Sequence, residues 1–192
     1  MELFQASRNG NVAEVRRLAA LGADVNVDGG AGWRPLHHAA LYGQVEAMSV
    51  LVEMGADVHA MTHRGDTALH LARNTETVTW LLEAGAELNH RNNGGETPLI
   101  QAIRRGRVPA VTALVQAGAR PDASDSVWWT TLFVKLAFGD DEAVTELVAA
   151  AEVLTLRLNE NGHFARTPVQ VAELSTHPQR EQLRHALTAA QH

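Results

Sequence analysis

Apolar residues return along the chain at helical spacing, in short paired blocks separated by glycine. Leu3, Phe4 and Ala6 mark one face of a first short helix, Gly10 breaks it, and Val12, Val15, Leu18 and Ala19 mark a second. Asn11 stands where it can cap that second helix, with Glu14 three residues on as a capping-box partner, and Gly22 ends it. The pair of blocks then recurs. Residues 34–42 read as a first helix with Pro35 near its amino end, where the missing N–H costs nothing, and Val45, Met48, Leu51 and Val52 form the stripe of a second. The small pair Ala39 and Ala40 lets neighbouring first helices approach closely.

The blocks are copies of one unit. Gly32-Trp-Arg-Pro-Leu-His37 returns as Gly65-Asp-Thr-Ala-Leu-His70 and as Gly95-Glu-Thr-Pro-Leu-Ile100, while Gly55-Ala-Asp-Val58 returns as Gly85-Ala-Glu-Leu88. The step from Gly32 to Gly65 is 33 residues, but that from Gly65 to Gly95 is only 30. The shortfall lies between Ala72 and Thr77, so the third unit should lose about one helical turn and open a local notch. Trp80 sits beside the third unit's stripe and reads as packing. The fifth unit is degenerate, with Trp128 in place of the glycine and Thr130-Thr-Leu-Phe133 in place of the turn. In the sixth, the final stretch 179–189 is polar at many positions, as a terminal cap would be.

This turn motif and period resemble the ankyrin repeat, a match that covers nearly the whole chain. The resemblance implies an all-α repeat solenoid of helix-turn-helix units joined by β-hairpin loops, about six units including degenerate caps: 1–27, 28–60, 61–90, 91–121, 122–153 and 154–192, in a single domain. It also implies that His37 and His70 tie neighbouring backbone together by hydrogen bonds and have no catalytic duty. Asn26 and Asn89, at the ends of units, should tie down the loops that follow.

Composition narrows the function. Hydrophobic residues are 45% and charged residues 20%, which fits an ordered chain. The net charge is -6, and neither half offers the positive field that nucleic acid or an anionic membrane would require. With no cysteine, disulfides, thiolate nucleophiles and Cys-containing zinc sites are excluded. No basic-then-apolar leader and no long apolar run is present, so the expected location is cytoplasmic. His59, His63 and His90 match no compact zinc spacing, and no phosphate loop, HExxH pair or nucleophile elbow occurs. The expectation is a non-enzymatic protein without metal or cofactor.

The resemblance implies binding of another protein through a concave face built from the loop tips and first helices. Carried onto this chain, that face contains Trp33, Asp66 and Glu96 after each glycine, Tyr42, Arg104 and Arg105 at the ends of first helices, and Arg64 in a loop. Trp128, Trp129 and Phe138 extend it into the fifth unit. Large aromatic and arginine side chains dominate such interfaces. Two alternatives stand beside it: a small-ligand or catalytic site at the notch, using His63, Arg73 and Arg104, and self-association through Trp128, Trp129 and Phe138. The chain alone is expected to be a monomer.

Overall fold

A computed structural model describes residues 2–119 of the 192-residue chain. Four helix pairs follow one another: α1 (Glu2–Asn9) with α2 (Val12–Ala20), α3 (Pro35–Leu41) with α4 (Val45–Glu53), α5 (Ala68–Leu71) with α6 (Thr75–Glu83), and α7 (Pro98–Arg104) with α8 (Val108–Gln116). First helices pack in the row α1, α3, α5, α7, and second helices in the row α2, α4, α6, α8. Each pair thus buries its apolar stripe against its neighbours, which makes the described part an all-α solenoid. The fifth and sixth units, with Trp128, Trp129 and Phe138, lie outside the described residues.

The core follows the apolar spacing. Leu36, Met48, Leu51, Leu69, Leu81, Leu99, Ile103 and Leu114 are fully buried, and Ala39 and Ala40 are 0% exposed between adjoining first helices. Trp80 is half-buried and packs against this core from the second-helix side. Local chemistry sets the helix starts. Asn11 Oδ1 accepts from Glu14 N at 3.1 Å, Asn74 Oδ1 from Thr77 N at 2.8 Å, and Thr97 Oγ1 from Ile100 N at 3.3 Å. The reciprocal half of the Asn11–Glu14 capping box is not made. Asn11 N already donates to Ala6 O at 2.9 Å, and the Glu14 carboxylate takes both its bonds from Arg17.

The loops carry no strand among the described residues; they are hydrogen-bonded turns built to one plan. One side-chain oxygen in each accepts the N–H groups two and four residues on: Asp28 from Gly30 and Gly32, Thr62 from Arg64 and Asp66, Asn92 from Gly94 and Glu96. Successive loops then join directly, His63 N to Ala31 O at 2.8 Å and Asn93 N to Arg64 O at 2.9 Å. Glycine at the head of the motif follows from this contact. A Cβ on Gly32 would lie 2.6 Å from His63 N and one on Gly65 2.8 Å from Asn93 N, with both backbones at a φ of +75°. Asn26 adds a further tie, its amide bonding Gly55 O and Asp57 N, both at 2.9 Å.

The third unit is short where the spacing places the deficit. Helix α5 has 4 residues against 7 in α3 and α7, and the backbone leaves it at Ala72 with a ψ of 141°.

Candidate functional site

Each first helix runs from a loop at one edge of the stack to a helix-helix turn at the other, so side chains between those edges form one continuous side. At the start of α3, Trp33 is half-buried and its ring meets those of His38 and His37, with centroids 5.1 and 6.1 Å away. At the far end Tyr42 is 43% exposed, with the Arg8 guanidinium 4.7 Å over its ring. Met61, His63 and Arg64 project from the loop ahead of α5, all exposed. On α7, Arg104 reaches back to clamp Glu96 with one guanidinium edge, Nε and Nη2 donating to its two carboxylate oxygens at 2.7 and 2.9 Å, while Arg105 is exposed at the helix end.

One residue expected on this side is turned inward. Asp66 is 5% exposed and accepts from Asn92 Nδ2 at 2.7 Å, because Asn92, the anchor of the next loop, comes to lie beside it. Its carboxylate belongs to a buried polar chain. Asn92 Nδ2 also donates to Gln101 Oε1 at 3.2 Å, and Gln101 Nε2 donates to His70 O at 3.2 Å. A chain of this kind is stabilising when every member is satisfied.

The two motif histidines hold backbone. His37 Nδ1 accepts from Arg34 N and its Nε2 lies against Ala60 O, both at 3.0 Å; only the neutral tautomer with a proton on Nε2 satisfies both. Burial pushes His37 down to about 4, although the bond to Ala60 O pulls the other way. His70 repeats the arrangement, Nδ1 accepting from Thr67 N at 3.2 Å and Nε2–H donating to Glu96 O at 3.0 Å, and burial lowers its pKa too. The Thr67 hydroxyl lies 2.9 Å from His70 Nδ1, yet Thr67 is 6% and His70 1% exposed. A hydroxyl-imidazole pair sealed in this way reaches no substrate.

The remaining loop histidines diverge. His63 faces Asp28 at 3.8 Å and His90 faces Glu87 at 3.2 Å, and no group of three His, Asp or Glu side chains able to hold a metal occurs among the described residues.

The notch lies on the other edge, at the helix-helix turns. A cleft of about 560 Å³ is lined by Leu41, Arg73, Arg105, Gly106, Arg107 and Pro109. Its floor replaces the lost turn of α5. The amino-cap side chains of the second helices normally meet the turn of the preceding unit, Gln44 against Gly10 and Asn74 against Gly43. Arg107 holds the same place ahead of α8 and finds no turn to meet. Its Nη1 instead donates to His70 O, Leu71 O and Ala72 O at 3.0, 2.9 and 3.2 Å, covering the carbonyls that the truncated helix leaves open. Burial, then Arg105 and Arg73, lower the Arg107 pKa to about 10, so it stays charged at neutral pH. The sequence signal for this arrangement is a cationic cap residue directly after the short unit, with a glutamine, Gln101, on a core-facing helix.

A family model described as "Ankyrin repeats (3 copies)" matches residues 3–62 and 55–125. The chain is similar over 182 residues, at 29% identity, to the target of rapamycin complex 2 subunit AVO2 of Saccharomyces cerevisiae, covering 90% of this chain and 42% of that protein. It is 37% identical over 100 residues to the human ankyrin repeat and SOCS box protein 3, covering 49% of this chain and 19% of the relative. With the probable 26S proteasome regulatory subunit p28 of Saccharomyces cerevisiae it shares 31% identity over 124 residues, 62% of this chain and 54% of the relative. The chain thus spans about half or less of the length of these relatives.

Proposed function

The chain belongs to the ankyrin-repeat family, and on that premise we propose that it is a non-enzymatic module that binds another protein through its loop and first-helix side. The observation that carries this reading is the exposed row itself. Tyr42 and Arg105 stand exposed at the ends of first helices and Met61 and Arg64 on the loop ahead of α5, while the imidazoles and amides His37, His70 and Gln101 are committed to internal bonds. Two of the relatives carry names of subunits of larger assemblies. A role as adaptor, inhibitor, immunity protein or effector in the cytoplasm fits the same pattern.

We extend the array to about six units over residues 1–192, with the loops acting as β-hairpin-type fingers. Trp33, Tyr42, Arg64, Glu96, Arg104 and Arg105 supply the partner contacts in units two to four, and Trp128, Trp129 and Phe138 those of unit five. Asp66 contributes by holding Asn92 and its loop in place. No helix among the described residues is long and apolar enough to cross a membrane.

The test is capture of the partner from host lysate with wild-type protein, followed by affinity measurement on Tyr42→Ala and Trp129→Ala. Each substitution should weaken the complex by about thirtyfold, the effect of an interface hot spot, and leave the helical circular dichroism intact. An unchanged dissociation constant in both variants would remove this face from consideration.

A further inference from the structure

The arginine cleft at the shortened third unit has a chemistry that partner recognition along the loop side does not use. Arg73 and Arg105 stand exposed at its rim, and neither guanidinium makes an ion pair or hydrogen bond among the described residues. Arg107 forms the floor. Its Nη1 is held by three carbonyls, which fixes the plane of the guanidinium, while Nε and Nη2 have no acceptor among the described residues. Three cations therefore converge on one cleft. Among the described residues, the carboxylate that raises the Arg107 pKa is that of Asp66, buried and bonded to Asn92. Glu96, the next acid along the face, is clamped by Arg104. Among the described residues, three guanidiniums against one carboxylate leave an excess of two positive charges.

The geometry points to a binding site for a phosphate monoester, held by the fixed Arg107 fork and closed from the rim by Arg73 and Arg105. A phosphate monoester carries close to two negative charges at neutral pH and three acceptor oxygens, matching both the excess charge and the number of guanidiniums. A carboxylate would leave one charge uncompensated. The anchored Arg107 is pre-organised, since its hydrogen bonds to α5 hold the side chain in place before any ligand arrives. The cleft is several times larger than a phosphate group, so it admits the group together with whatever bears it. That bearer is either a small phosphorylated molecule or a phosphorylated side chain of a protein. The cleft adjoins the partner face at Arg105, which both use, while its anchor Arg107 and its rim residue Arg73 lie outside that face and Tyr42 and Trp129 take no part in it.

The experiment titrates the full chain at constant ionic strength with inorganic phosphate, with acetate, and with a phosphoserine peptide beside its unphosphorylated form, followed by calorimetry and by the Arg107 Nε–H resonance. At least one phosphate probe should bind saturably and shift that resonance, with acetate and the unphosphorylated peptide about tenfold weaker or worse. Arg73→Ala and Arg105→Ala should each weaken phosphate binding by about tenfold, while Arg17→Ala, on α2 and paired with Glu14, should leave it unchanged. Circular dichroism confirms that the exposed rim variants remain folded, and Arg107 is left intact because it supports α5. Tighter binding of the phosphopeptide than of inorganic phosphate assigns the site to a protein-borne phosphate. Equal or tighter binding of inorganic phosphate assigns it to a small molecule. Absence of saturable binding by either phosphate probe, acetate binding as well as phosphate, or equal losses in all three arginine variants would overturn the inference.

Discussion

At the scale of single residues, His37 shows how a titratable group becomes a structural one. Its ring accepts from one backbone N–H and donates to a carbonyl of the next unit, and both bonds require the neutral form. Its folded-state pKa lies near 4 against an ordinary 6.5, so between these values the unfolded chain binds the extra proton. The sign follows: the His37 contribution is fully present above about pH 6.5 and is lost as the pH falls towards 4. The loss is on the order of 3 kcal/mol, and His70 acts in the same direction. Denaturant midpoints should therefore fall between about pH 7 and about pH 5. A His37→Gln variant, less stable at neutral pH, should lose less on acidification; an equal loss would show that other groups drive the effect. His37→Ala removes both bonds and leaves a cavity, at a cost of about 2–4 kcal/mol in the same assay.

At the scale of elements, the junction between α5 and α7 is held by chemistry that the regular junctions do not use. Where a full unit closes its first helix with its own turn, the short one depends on Arg107 and Gln101 from the unit that follows. Arg107→Ala should cost about 2–3 kcal/mol, since it strips the donor from buried carbonyls. Inserting three residues between Ala72 and Asn74 restores the regular spacing and should supply the missing turn from within. In that background the same Arg107→Ala should cost under about 1 kcal/mol, and the difference is the coupling that a double-mutant cycle reads. Additive costs would show that Arg107 does not replace the turn. At the regular junction the limit is volume. Ala40 is 0% exposed between first helices, so Ala40→Leu should force α1, α3 and α5 apart and lower stability by about 1–3 kcal/mol, seen as a shifted denaturation midpoint.

At the scale of the molecule, packing between successive units makes stability a sum of local terms. We expect a monomer when the chain is alone, with a mass by light scattering that does not change with concentration. A mass that doubles would move Trp128, Trp129 and Phe138 from partner binding to self-association. The two candidate surfaces meet at Arg105: the loops carry Trp33 and Arg64 of the partner face, and the helix-helix turns carry the arginine cleft. Loss of Trp33 or Arg64 should leave the cleft functional, and loss of Arg73 should leave the partner face functional.

Much of this architecture was legible in the residues because it rests on local chemistry at fixed spacing. The apolar stripes and the Asn11 cap concern neighbours within a turn or two, and the motif glycines and the three-residue deficit of the third unit show in the repeat spacing. Tyr42, Arg64 and Arg105, which the family resemblance assigns to the binding face, are exposed. What the tertiary structure decided is where polar side chains go once units are stacked. Asp66 turns inward because Asn92, 26 residues on, meets it, and Arg107 supports α5 from 35 to 37 residues away. No local pattern encodes those pairings, since they exist only when one unit comes to rest against the next and a missing helical turn leaves its carbonyls in need of a donor.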